Sequence, residues 1–141
     1  MNIIKSMTTL MLIIFSTSLF AGELKIHFKN IKGNKGQIAL AIFNSSVGFP
    51  DDNSKAFLRL FISLTDAADL KIDLPEGKYA IALFQDINSN QKLDTNAIGI
   101  PKEPFGFSNN PKLLFGPPSF SKAQFKMTNE NHEINLVLKE Y

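Results

Sequence analysis

GKYAIALF, residues 77–84, decides how this 141-residue chain folds, because GQIALAIF, residues 36–43, repeats its pattern. Both segments run Gly, polar, large, Ala, large, Ala, large, Phe. Successive side chains of a strand point to opposite faces, so each copy has one face of two alanines and a Phe. The other face carries three large side chains: Ile38, Leu40 and Ile42 in one copy, Tyr79, Ile81 and Leu83 in the other. With both parities apolar, the copies read as two neighbouring central strands under one packing constraint, covered on both faces. Two copies are too few for a repeat architecture. Alanines let a bulky layer approach the sheet closely, and Phe105, Phe107, Phe115 and Phe120 are expected to supply it. The alternative is a Phe-rich surface open to a small apolar ligand.

Working outward, residues 23–30 alternate strictly, with Leu24, Ile26 and Phe28 on one parity and Glu23, Lys25, His27 and Lys29 on the other. That is the signature of a half-buried strand. Residues 32–36, KGNKG, form a turn, and residues 44–52 form a loop with room for a short helical turn. Residues 57–64 read as a strand, although periodicity alone leaves a helix open. A short strand at 69–74 ends in the tight turn Pro75-Glu76-Gly77, with Gly where positive φ is favoured. Further strands are expected at 119–127, with Phe120 and Phe125, and at 133–139, with Ile134, Leu136 and Leu138 on one parity. About seven short strands separated by turn residues, without a convincing long helix, predict an all-β fold. The form expected is an antiparallel immunoglobulin-like or transthyretin-like β-sandwich with one long ordered loop at 86–110.

The first residues have a different character. Lys5 is followed by an apolar run at 7–20 and by Ala21-Gly22, the layout of a signal peptide with its cleavage point. The apolar run is too short to span a bilayer with ease. We therefore expect a leader at 1–21, one domain at 22–141, and a periplasmic or secreted protein without a lasting membrane anchor. Loss of the leader removes one of 15 basic residues and none of the 13 acidic ones, leaving a nearly neutral domain. That balance carries no electrostatic footprint for nucleic acid, so any partner is expected in the envelope or outside the cell. The chain has no cysteine, which excludes disulfides, thiol chemistry and a lipid-bearing cysteine at the junction. Thirteen Phe and no Trp point to a core and cover of aromatic bulk.

The long loop holds the densest polar chemistry. Asp86, Asn88, Asn90 and Asp94 stand at positions 1, 3, 5 and 9 of a calcium-loop spacing, with the Lys92 carbonyl at position 7. Hard oxygen ligands at alternate positions let a turning backbone wrap one cation. Two positions depart from the pattern: Gln91 stands where Gly takes the sharp turn, and Ala97 where a bidentate acid is expected. Glu103 and Asn96 are the nearby substitutes. With two carboxylates, Ca2+ affinity is expected in the weak range of about 0.1–1 mM. The alternative is an ion-free loop whose Asx side chains bond their own backbone.

Catalytic signatures are few. Ser108, in Gly106-Phe107-Ser108-Asn109-Asn110, lacks the closing Gly of a nucleophile elbow. His27 lies on the polar parity of the first strand, His132 precedes the last, and both read as solvated. A non-catalytic binding or structural module is the leading expectation. A hydrolase using Asp86, Asp94 or Glu103, with or without a cation, is the alternative from another class, provided a cleft holds two carboxylates about 5–9 Å apart.

Residues 77–86, NSNQKLDTN at 88–96 with Asn88 first, GIPKE at 99–103, FGFSNN at 105–110, GPPSF at 116–120, and the earlier 36–43 segment with Gly48-Phe49-Pro50 form a recognisable set. In these residues, which span most of the chain after the leader, the protein resembles a family of bacterial exported proteins catalogued as domain of unknown function family 2141. The resemblance implies export and a β-sandwich and carries no activity with it. Family members commonly have Gly after the second Asn of the loop, where this chain has Gln91.

Overall fold

A computed structural model describes residues 21–141. Its strands are β1 (Ala21–Lys29), β2 (Gln37–Phe43), β3 (Leu58–Ser63), β4 (Leu70–Pro75), β5 (Gly77–Asp86), β6 (Phe105–Phe107), β7 (Phe125–Met127) and β8 (His132–Val137), with a one-turn helix α1 (Phe120–Ala123). The expected leader lies outside the described residues except for Ala21, which with Gly22 pairs with Pro75 and Leu74. Among the described residues, no helix is long and apolar enough to cross a membrane.

The repeated segments are neighbours. β2 and β5 pair antiparallel, with Ala41 opposite Ala82, Leu40 opposite Leu83 and Ile42 opposite Ile81. Like side chains therefore lie together on each face of the pair. β3 flanks β2, β6 flanks β5, and β7 pairs with the opening residues of β5, giving a five-stranded sheet. The second sheet has the order β4-β1-β8. Its β1 and β8 run parallel, the one departure from an otherwise antiparallel sandwich.

The large-residue face of the five-stranded sheet meets the three-stranded sheet in one core. Ile38, Leu40, Ile42, Tyr79, Ile81 and Leu83 pack there with Leu24, Ile26, Ile72, Leu74, Leu136 and Leu138. Full burial of an aliphatic or aromatic side chain contributes about 1.5–3 kcal/mol, so this layer is the main source of stability in a domain without disulfides. The sandwich is closed along one side by β6, which lies beside the end of β8. Phe105 N–H donates to the Lys139 carbonyl at 3.0 Å and Lys139 N–H to the Phe105 carbonyl at 2.8 Å.

Three expectations change on the structure. Residues 119–127 do not form one strand: α1 occupies the first half and only Phe125–Met127 pairs, with Gly77–Tyr79. The backbone groups of that turn are satisfied by side chains instead of a ladder. Ser108 donates its hydroxyl to the Ala123 carbonyl, and the Asn109 amide donates to the carbonyls of Lys122 and Gln124. The stretch 86–110 is not loop throughout, because β6 lies within it. Phe115 does not cover the alanine face, being 99% exposed at a loop tip. Phe49 takes that place, edge-on to Phe43, Phe107 and Phe120 with ring centroids 5.3, 6.3 and 5.9 Å away.

Candidate functional site

Asp86 ends β5 and starts the polar loop, and it is fully buried. One carboxylate oxygen accepts from Asn90 N–H at 3.1 Å, and the other from Gln91 N–H at 2.9 Å and from the Gln37 side-chain amide at 2.9 Å. The loop thus turns tightly around Asp86. Gln91 takes the left-handed conformation, φ 63°, at the position where Gly was expected. Gly36 lies beneath this turn, and a Cβ on it would meet the Asp86 carbonyl oxygen.

The other loop side chains meet each other. Asn88 donates its amide to one oxygen of Asp94 at 2.6 Å, and Asn90 donates to the other at 2.9 Å. Lys92 N–H donates to Asn90 Oδ1 at 3.0 Å. Asn88, Asn90 and Asp94 are therefore brought together, while Asp86 is turned to the N–H groups of Asn90 and Gln91 and to the Gln37 side chain. As placed, the two amides present N–H groups, and a cation would need both rotated so that their oxygens face Asp94. Asn96 does not join them, since its oxygen accepts from Ile98 and Ile100 N–H. Glu103 is 5% exposed and ties the loop shut, accepting from Ile87 N–H at 2.9 Å and from Asp94 N–H at 3.1 Å.

On the outer face of the five-stranded sheet, the alanines floor an open groove. The cross-strand register places Arg59, Ala41, Ala82 and Phe107 in one row, and Phe61, Ala39, Phe84 and Phe105 in the next. Between the bulky ends of these rows lies a cavity of about 150 Å³, bounded also by Pro50, Asp51 and Leu93. Asp51 and Asn53 are set on the rim by a short 3-10 turn, Asn53–Lys55, capped by Asp52. The Ser54 hydroxyl and N–H both donate to Asp52 and hold its carboxyl below the usual carboxylate range. Sequence reading located the alanine face but missed Arg59, Phe61 and Phe49 beside it. The signal was present for the first two, which share the parity opposite Leu58, Leu60 and Ile62.

The residues weighed for catalysis have other engagements. Ser108 accepts from Ile81 N–H at 2.9 Å besides donating to Ala123. His27 meets the Glu133 carboxylate at 3.1 Å, and His132 meets the Thr128 hydroxyl at 2.9 Å. Asp86, Asp94 and Glu103 direct their oxygens to loop N–H groups, and none of the three lines the groove.

No curated protein and no solved structure matches the chain. A family model does match, across residues 26–135, from the middle of β1 to the middle of β8. By that match the chain belongs to a family of uncharacterized proteins conserved in bacteria, DUF2141.

Proposed function

We propose that the protein is an exported, non-catalytic binding module that takes a small apolar ligand in the alanine-floored groove. The observation that carries this reading is the groove itself. Ala39, Ala41 and Ala82 leave about 150 Å³ open between aromatic walls on a face that other aromatic side chains cover tightly. Concave, mostly apolar hollows with a few polar rim groups are the usual form of small-molecule sites. Export rests on the leader-like residues 1–21.

We attach to this reading a weak calcium site at Asn88, Asn90 and Asp94, supported by their convergence and by the wrapped turn around Asp86. Lys92 would add its carbonyl there. In this scheme the ion steadies the loop that carries Leu93 to the groove.

A thermal-unfolding screen of the purified protein against small apolar compounds tests the binding reading. Hits are expected to raise the midpoint by mass action. Ala82→Leu, which fills the floor, is expected to remove their effect. A broad panel without a single groove-dependent shift would overturn it. Mass spectrometry of protein from envelope and medium fractions tests export, with loss of residues 1–21 as the expected result and an intact cytoplasmic chain as the contrary one.

A further inference from the structure

The groove's rim carries unmatched charge, which narrows the ligand class. Three Lys–carboxylate ion pairs and one His–carboxylate contact form among the described residues, and neither Arg59 nor Asp51 belongs to any of them. Arg59 is nonetheless held in place. Its guanidinium carbon lies over the Phe61 ring, 5.6 Å from the centroid, which steadies the group while leaving its N–H edge free. A planar guanidinium presenting N–H groups is suited to a carboxylate, which it can engage through two parallel bonds.

The size of the hollow sets the rest of the ligand. An enclosed apolar cavity of about 150 Å³ accommodates one benzene ring, and this groove, of the same volume but open on one side, has room for a group of that size. The row Arg59, Ala41, Ala82, Phe107 spans three strand spacings, about 14 Å. Arg59 and Phe107 stand at its two ends and both line the groove, so the space over the two alanines fits a ring with a short acidic arm. Phe84 and Phe107 offer their rings as side and end walls.

Resting on the reading of the groove as a ligand site, we propose that its ligand is a monocyclic aromatic acid. Its ring lies on Ala41 and Ala82, and its carboxylate meets Arg59. Asp51, which also lines the groove, disfavours a second negative charge and selects monoanions over dianions.

The test follows amide NMR spectra of the purified protein during titration with 3-phenylpropionate, benzyl alcohol, benzylamine, L-phenylalanine and decanoate at millimolar concentrations. Phenylpropionate is expected to bind most tightly, with shifts at Ala39, Ala41 and Ala82. Arg59→Gln is expected to weaken it by about fivefold or more while leaving benzyl alcohol unchanged. Arg59 is exposed, so this variant should fold, and Ala82→Leu should abolish binding of all ring compounds. If benzyl alcohol binds as well as phenylpropionate and Arg59→Gln has no effect, the acid is overturned and the apolar groove stands. Tighter binding of benzylamine or phenylalanine, lost in Asp51→Asn, overturns it in favour of a cationic or zwitterionic ligand. Tighter binding of decanoate overturns the ring. If none of the five perturbs the groove, the ligand site falls together with its ligand class.

Discussion

Gly106, at the centre of β6, lies so close to Val137 of β8 that a Cβ on it would stand 2.6 Å from the Val137 carbonyl oxygen. The close approach allows β6 to pair with β5 and still reach the other sheet at Lys139. Gly106→Ala must push the two backbones apart, since the obstructing atom is main chain. We expect a loss of about 1–3 kcal/mol, the range of overpacked sites. Urea unfolding checks it, and an unchanged midpoint would show that the closure is slack.

Gln85 stands at the other junction. It is fully buried on β5, and its side chain accepts from Lys32 N–H at 2.7 Å and donates to the carbonyls of Lys32 and Lys35 at 2.8 and 3.1 Å. One side chain thereby fastens the turn between β1 and β2. Gln85→Leu keeps the bulk and strands three backbone groups, which should cost about 2–4 kcal/mol and speed exchange of the Lys32 amide. A cost below about 0.5 kcal/mol would mean that water replaces the fastening.

Gln85 also shows where sequence reading ends. The paired strands were legible because Ala39, Ala41, Ala80 and Ala82 repeat with a period of two, and periodicity survives in one dimension. Gln85 has no such signal: a polar residue at a strand end reads as exposed, and only the turn folded back on it gives it partners. Phe115 failed for the converse reason. Its composition matches Phe49, yet the chain carries Phe49 over the alanines and Phe115 into solvent, which no local pattern specifies. In the loop, the spacing of Asp86, Asn88, Asn90 and Asp94 was visible, but the division of labour was not. That division depends on which donors reach each oxygen.

Calcium is expected to act through Asp94. With Asp94 as the single carboxylate of the site, affinity is expected at the weak end of the range, about 1 mM, so a few millimolar calcium should stabilise the fold by about 1 kcal/mol, a rise of a few degrees over chelator. Asp94→Ala should remove the rise, because Asn88 and Asn90 converge on that carboxylate. Asp86→Ala should lower the midpoint with and without calcium, because it frees the N–H groups of Asn90 and Gln91. Identical melting of the unmodified protein in calcium and chelator would leave the loop as an ion-free turn.

Alkaline pH should act through Tyr79. Its ring lies in the core, its hydroxyl donates to the Pro75 carbonyl at 3.0 Å, and burial pushes the phenol above its ordinary value. The folded state therefore holds this proton to higher pH than the unfolded chain, whose phenol ionises near about pH 10. Above that pH the unfolded chain binds fewer protons, so stability falls as pH rises towards the folded value. Below it the contribution is complete. Tyr79→Phe loses the hydrogen bond, about 1 kcal/mol at neutral pH, but has no phenol to ionise. The stability gap between the two proteins should therefore narrow above about pH 10, while lysine titration affects both alike. Urea unfolding of both across the alkaline range reads it directly. A gap that stays constant would mean that the Tyr79 phenol titrates alike in the folded and unfolded chains.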